Sequence, residues 1–161
     1  MGINYKSMNM HDTFKTYLNQ HEIMQLATVR DGQPWCCSLH YVIDDELNFY
    51  WLSFADRRHS QEIADNQKVA LAVAVKTDMP VVGIQAEGDA VQLTDPAQVE
   101  QAARLYNQKI INSDDWLKNF LNGSDDGFKV YKFVPRLFVV FDRVAHKDPY
   151  AARHEWRPGS K

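Results

Sequence analysis

The sequence lacks the signals that mark membrane proteins, secreted proteins and nucleic-acid-binding proteins. Its formal net charge is −3, so no general excess of basic residues would attract nucleic acid or an anionic membrane surface. No apolar run approaches the ~20 residues that a membrane-spanning helix needs. The polar start, MGINYKSMNMHD, has no apolar signal segment. We therefore expect a cytoplasmic protein with no membrane partner and no nucleic-acid partner.

Cysteine is scarce, and the motifs of several common sites are missing. The only two cysteines, Cys36 and Cys37, are neighbours, so a disulfide between them would be strained and would close no loop. We interpret them as free thiols in a reducing compartment. The sequence has no CxxC, no HExxH and no histidine–carboxylate set at zinc spacing, so we predict no metal site. The absence of GxGxxG, GxxxxGK[ST] and GxSxG argues against a Rossmann site, a P-loop and a nucleophile elbow.

What the chain does have is a series of short apolar segments separated by turn residues, within a length suited to one domain. A helical period near the start predicts an N-terminal helix within residues 1–22. Turn signals such as Asp31-Gly32 join predicted antiparallel strands at residues 25–30, 35–43, 47–54, 68–76, 81–93, 128–133 and 137–144. Further helices are predicted at residues 58–66, 98–110 and 114–121.

These elements predict a mainly β fold (β+α) in which the strands outnumber the helices. The pattern is typical of a small antiparallel barrel, closed or half-closed, with six to seven strands and peripheral helices. Residues 1–161 are expected to form this single domain, and residues 146–161 a polar C-terminal tail with Trp156 as an isolated anchor.

The most informative segment spans residues 48–75, where an aromatic strand, a short loop and a helix start precede a second apolar strand. The loop and helix start carry Arg57, Arg58, His59 and Ser60. Guanidinium groups match phosphate oxygens, and the first turn of a helix favours an anion. The pattern therefore indicates a phosphate site, with the flat aromatic part of the ligand along neighbouring strands. A solvated, charged surface turn is the other interpretation.

Other residues allow two interpretations each. His40 lies inside a predicted strand, where it could contact a ring heteroatom, act as an acid or base, or simply be a half-buried side chain. The aromatic residues of the strand at 47–54 could line a flat ligand or fill the core. Carboxylates at 44–46 and 125–126 fit turn chemistry better than catalysis.

Taken in order and spacing, residues 26–93 resemble the FMN-binding split-barrel family, the pyridoxamine 5′-phosphate oxidase-like proteins. The opening LATVRDGQP at 26–34 is similar to the family's LAT-V-x-x-G-x-P. Tyr50-Trp51-Leu52-Ser53 followed by Arg58-His59 resembles its aromatic strand and phosphate loop. The segments IADNQKVAL at 63–71 and IQAEG at 84–88 resemble its I-x-x-N-P-x-V-A-L and its glycine-terminated long strand.

The resemblance implies a homodimer of split barrels with FMN at the interface. Arg58 and His59 would hold the phosphate, with Arg57 and Ser60 nearby. Ser53 would bond to the phosphate or the ribityl chain, with Leu52 beside it. The remaining implied contacts surround the isoalloxazine ring, and they are Cys37, Ser38, Leu39, His40, Gln85 and, from the partner chain, Phe141.

The departures from the family pattern imply something other than a true pyridoxamine phosphate oxidase. His59 replaces a lysine of the phosphate pair, Cys37 replaces an arginine, and Val42 replaces a lysine that helps to hold pyridoxal phosphate. We therefore predict an FMN-binding, oxidoreductase-like protein that acts on a small-molecule substrate, with proton transfer by His40 as a hypothesis. The alternatives are a split barrel that holds FAD, a deazaflavin or heme, and a storage or sensing protein without catalysis. Under the heme interpretation, the candidate ligands are His146 and His154.

Overall fold

Strands make up most of the chain. Within residues 9–124, 127–148, 150 and 152–159, the part that the structure describes, the computed structural model contains eight strands, four α-helices and one π-helix. The strands are β1 (Ile23–Arg30), β2 (Gln33–His40), β3 (Val42–Ile43), β4 (Phe49–Phe54), β5 (Lys68–Lys76), β6 (Val82–Gln92), β7 (Phe128–Asp142) and β8 (Arg153–Trp156). The helices are α1 (Met10–Asn19), α2 (Arg58–Asp65), α3 (Pro96–Tyr106), the π-helix (Asn107–Ile111) and α4 (Asp114–Leu121). Residues 1–8 of the predicted N-terminal segment and the carboxylates at 125–126 lie outside the described residues.

All eight strands belong to one antiparallel sheet that curls into a split barrel. The order across the sheet is β2-β1-β5-β6-β7-β4-β3, and β8 pairs with β7. The two ends of this order, β2 and β3, follow each other directly in the chain, so the sheet must curl back on itself. The predicted mainly β, antiparallel barrel with peripheral helices is therefore confirmed.

The single strand predicted at 35–43 is in fact two strands that separate at Tyr41. The Tyr41 backbone N–H donates to the Glu22 carbonyl, and its hydroxyl donates to the Leu18 carbonyl at 2.8 Å. These bonds hold Tyr41 against the end of α1 and the start of β1. The chain consequently leaves the pairing with β1 and begins a new pairing with β4.

Two apolar clusters hold the sheet and helices together. The larger fills the barrel, and it includes Met24, Leu26, Trp51, Leu71 and Phe133. The smaller lies between the outer face of β4 and β7 and the helices α3 and α4. Strand alternation produces both clusters, because successive side chains of β4 point in turn to the barrel and to the helices.

The two strands predicted on either side of Pro135 are one continuous strand, β7, bent by a β-bulge. Pro135 pairs with Gly88 and Leu137 pairs with Glu87, so Arg136 is an extra residue on β7. Proline has no N–H to give to the ladder, and a bulge is one of the few places where a sheet accepts it. The local proline signal therefore marked a bend rather than a strand end.

The two ends of the described chain pack on the barrel. The Asn9 side chain caps α1, which occupies residues 10–19 of the predicted segment 1–22. The predicted polar tail contains a strand that its sequence pattern did not indicate, β8, and Trp156 of that strand stacks on Phe14 and Phe138. Among the described residues, no helix has the length and apolar character needed to cross a membrane.

Candidate functional site

The predicted phosphate-binding residues lie at one corner of the barrel, where β4 ends and α2 begins. The Ser53 hydroxyl is 2.8 Å from Nε2 of His59, and the Ser60 hydroxyl donates to the Ser53 hydroxyl at 3.3 Å. All three side chains are buried. Ser53 of β4 therefore lies against the first turn of α2. The three residues form one polar cluster inside the barrel wall.

The first turn of α2 carries an unusual charge for a helix start. Arg57 is the N-cap and makes no side-chain capping hydrogen bond, and the first turn contains no acidic residue. A helix N-terminus has a partial positive charge, and the consecutive residues Arg57 and Arg58 add to this charge rather than neutralise it. Such an arrangement would stabilise a bound anion.

Arg58 is held in place while remaining accessible. Its Nε donates to Oε1 of Glu62 at 2.7 Å, and its Cζ lies 4.2 Å from the centre of the Trp35 ring. The Arg58 side chain is nevertheless 45 % exposed. A planar guanidinium fixed at one edge and on one face, with the rest open to solvent, is suited to bind a phosphate.

His59 occupies a different environment from the exposed cation that the sequence pattern suggested. Its exposed fraction is 7 %. Burial lowers the pKa of His59, the charge of Arg57 lowers it further, and Glu62 opposes the shift only in part. His59 is therefore a neutral hydrogen-bond partner of Ser53, and Arg57 and Arg58 supply the positive charge at this corner.

Several of the predicted ring-contacting residues lie on the outer face of the sheet. The ladder pairs Ser38 with Gln25, Gln25 with Ala72, Ala72 with Gln85 and Gln85 with Val139, which forms one row across five strands. Ser38 and Gln85, both exposed, therefore point to the same side of the sheet. His40 lies two residues after Ser38 on the same face of β2.

This outer face is flat because most of its central side chains are small. Phe141 pairs directly with Gly83, and a Cβ added at Gly83 would meet only the Val73 carbonyl oxygen, at 3.9 Å. A shallow groove of about 380 Å³ lies on this face, and its lining includes Ala27, Pro34, Ala70 and Arg136. The groove borders the edge strand β2, and Arg58 lies on the other face of that strand, against Trp35.

Three predicted residues point away from that face. Cys37 and Leu39 alternate with Ser38 and pack against the barrel core. Burial, together with Cys36 and Glu62, raises the pKa of the Cys37 thiol to about 11, so the thiol is neutral. Leu52 packs with the helices α3 and α4, on the opposite face of β4 from Ser53.

Reasoning from the sequence missed the residues that hold Arg58. Glu62 is buried, and its Oε2 accepts a hydrogen bond from the Thr28 hydroxyl at 2.5 Å. The spacing of Arg58 and Glu62, i and i+4 on a helix, is a signal that the sequence does carry. No sequence pattern connects Glu62 to Thr28, and none places Trp35 under the guanidinium. The proposed heme ligands, His146 and His154, pack on each other with ring centres 4.7 Å apart.

A curled antiparallel sheet with a polar corner at the start of α2 defines a split-barrel protein. The family profile of pyridoxamine 5′-phosphate oxidase matches residues 10–136. The chain therefore belongs to the pyridoxamine 5′-phosphate oxidase family.

Individual proteins are also similar to this chain. A UPF0306 protein of Klebsiella pneumoniae (strain 342) is 30 % identical over 95 residues, which cover 57 % of this chain and 65 % of that protein. The structure of a heme binding protein from Mycobacterium smegmatis superposes with a TM-score of 0.74 at 12 % identity, covering 94 % of this chain and 59 % of that one. A FAD-binding protein from Mesorhizobium loti superposes with a TM-score of 0.62 at 17 % identity, covering 78 % and 89 % of the two chains. At these identities the two structures establish the fold alone.

Proposed function

We propose that this protein is an FMN-binding, oxidoreductase-like homodimer that acts on a small-molecule substrate. The phosphate of FMN would lie at the first turn of α2, against Arg58, Arg57 and the Ser53–His59–Ser60 cluster. When bound, the flavin supplies the redox chemistry, and the residues of this chain bind, orient and shield it.

The observation that carries this proposal is the set of cationic and hydrogen-bonding groups at the start of α2. Arg58, a helix start without a side-chain cap and the hydroxyl groups of Ser53 and Ser60 lie together there, and Arg57 lies next to them over the Phe54 ring. Arg58 is restrained by Glu62 and Trp35 without being covered. A phosphate would accept charge-assisted hydrogen bonds from these groups.

The outer sheet face supports the rest of the proposal. The flat ring of a flavin would pack on the row that contains Ser38 and Gln85, next to His40. A second copy of the chain would cover the ring from the other side and contribute Phe141 to it. The small residues of this face, such as Ala70 and Ala72, suit a close approach of two sheets. The free thiols of Cys36 and Cys37 fit a reducing cytoplasm.

Residues 37 and 42, where the family has an arginine and a lysine, argue for a substrate other than pyridoxamine phosphate. Cys37 points into the barrel wall as a neutral thiol, and Val42 is buried in the cluster beneath α3 and α4. Neither residue can supply the positive charge that the family's arginine and lysine would bring to these places.

The experiment is a titration of ligand-free protein with FMN, followed by quenching of flavin fluorescence. Arg58→Ala removes up to two charge-assisted hydrogen bonds of roughly 1.5–3 kcal/mol each, so its affinity for FMN should fall by about a hundredfold or more. Arg104→Ala is the matched control, because Arg104 also pairs with a glutamate one helical turn away, on the exposed face of α3. The protein as purified should show the flavin absorption spectrum.

Either of two results would contradict the proposal. One is a purified protein with an intense heme Soret band and no flavin. The other is equal affinity for FMN in the wild type and in Arg58→Ala.

A further inference from the structure

A buried carboxylate lies directly beneath the proposed phosphate site. Glu62 is 1 % exposed, and both of its oxygens are engaged, Oε1 by Nε of Arg58 and Oε2 by the hydroxyl of Thr28. Burying a carboxylate is costly unless it is paired and hydrogen-bonded. Placing one next to an anion site carries a second cost, because its charge repels the anion. A buried carboxylate at this place therefore calls for a structural or functional explanation.

The contacts of Glu62 suggest that reason. Thr28 is buried in β1 and pairs with Trp35 of β2, so the sheet anchors one side of the carboxylate. The other side binds Arg58 through Nε rather than through its two Nη nitrogens. Trp35 lies against the guanidinium plane. The Glu62 bond and the Trp35 ring thus restrain the guanidinium, and the bond to Glu62 uses Nε and leaves the two Nη nitrogens for another partner.

We infer that Glu62 is a positioning residue for the phosphate site, and that it presents the Nη edge of Arg58 to the phosphate of a flavin nucleotide. This inference rests on the function proposed above and adds to it. A free arginine side chain has ~2 kcal/mol of rotamer entropy to lose when it binds a ligand. Restraining the side chain beforehand removes much of that loss, which is the general benefit of preorganisation.

The ionisation of Glu62 is consistent with this role. Burial by itself would raise the pKa of Glu62, but the hydrogen bonds from Thr28 and Arg58 and the charges of Arg58 and Arg30 outweigh it. The pKa therefore lies below its ordinary value, and Glu62 is a carboxylate at neutral pH. Arg58 accordingly faces a full negative charge at its Nε edge.

Glu62→Gln separates positioning from simple electrostatics, because the two predict opposite results. The substitution removes a negative charge near the phosphate, so charge alone predicts tighter FMN binding. A neutral amide holds Arg58 by a weaker hydrogen bond than a carboxylate does, so weaker positioning predicts weaker FMN binding, by up to about tenfold. Riboflavin, which has the same ring without the phosphate, should bind to the variant with unchanged affinity. A merely structural role for Glu62 would weaken FMN and riboflavin together.

The chain offers a matched control and a second variant. Glu100→Gln removes the same kind of carboxylate from the exposed Glu100–Arg104 pair of α3, and it should leave both affinities unchanged. Thr28→Val keeps Glu62 but removes its anchor in β1, and it should weaken FMN binding in the same direction by a smaller factor. If Glu62→Gln does not fold, Thr28→Val alone tests whether Glu62 positions Arg58 for the phosphate.

The outcomes distinguish this inference from the proposed function. Suppose that Arg58→Ala weakens FMN binding. The positioning role is then wrong, and FMN binding stands, if Glu62→Gln strengthens FMN binding or leaves it unchanged. The same conclusion follows if Glu62→Gln weakens FMN and riboflavin binding equally. If the wild type binds FMN no better than riboflavin and Arg58→Ala has no effect, the proposed function fails, and this inference fails with it. A selective loss of FMN affinity in Glu62→Gln and in Thr28→Val supports the inference.

Discussion

Gly88 of β6 and Val134 of β7 approach so closely that a Cβ on residue 88 would lie 2.1 Å from the Val134 carbonyl oxygen. The same Cβ would lie 2.8 Å from a ring carbon of the buried Phe133. This contact is where the bulge of β7 meets β6 and where the barrel wall bends. The curvature of the wall therefore depends on the absence of a side chain at residue 88.

Gly88→Ala should therefore destabilise the protein strongly. A methyl group there must displace backbone and a packed aromatic ring, and we expect the free energy of unfolding to fall by about 2–4 kcal/mol. Gly83→Ala is the matched control on the same strand, since its Cβ would meet only one atom, at 3.9 Å. Urea unfolding of the two variants gives the comparison. Equal stability of the two would contradict the close approach at Gly88.

The burial of His59 predicts a contribution to stability that depends on pH. Because burial lowers its pKa in the folded protein, the unfolded chain binds a proton more readily than the folded one. The contribution is complete above the ordinary histidine pKa, near 6.5, and is lost as the pH falls below it. Wild type should therefore lose more free energy of unfolding than His59→Gln between about pH 7.5 and pH 5.5. Parallel curves for the two proteins would show that His59 is not buried as a neutral side chain.

Because of its position, Gln85 should affect the affinities for FMN and riboflavin differently from Arg58. Gln85 lies on the outer face, where the flavin ring is proposed to bind, and a neutral hydrogen bond contributes about 0.5–1.5 kcal/mol. Gln85→Ala should weaken FMN and riboflavin equally, by roughly 2- to 13-fold. Gln101→Ala, on the exposed face of α3, is the control and should change neither affinity. Selective loss of FMN in Gln85→Ala would place the phosphate, not the ring, on the sheet face.

The flat outer face predicts the oligomeric state. Wild type should sediment as a dimer of the 18.6 kDa chain. Ala72→Glu places a charge in the middle of the row between Gln25 and Gln85, so it should produce monomers and weaken flavin binding as well. Ala97→Glu, at an exposed position of α3, should leave the dimer intact. A wild-type protein that remains monomeric at high concentration would contradict the placement of the flavin between two copies.

Local sequence signals predicted the elements around the site closely. The helix expected at 58–66 is α2, and the strand expected at 68–76 has the same bounds as β5. The Asp31-Gly32 turn has the positive φ angles that a two-residue hairpin needs. Each of these features depends on residues that are neighbours in the chain, which is why they can be read from the sequence.

Features that depend on distant residues could not be read in this way. Pro135 suggested an interruption of the strand, and only its pairing with Gly88 shows that β7 continues through a bulge. The burial of His59 follows from its bond to Ser53 across the barrel corner. Glu62 acquires its environment from Thr28, 34 residues earlier in the chain. Contacts of this kind, between separate elements of the fold, produce no regular pattern of residues in the sequence.

The proposed function requires that the start of α2 binds the phosphate of FMN. A crystal structure of the protein grown with FMN tests it most directly. We expect a phosphate within hydrogen-bond distance, about 2.7–3.2 Å, of the Nη nitrogens of Arg58, with the flavin ring on the outer sheet face beside Gln85. A flavin whose phosphate lies elsewhere, or a corner that contains only water at saturating FMN, would contradict it.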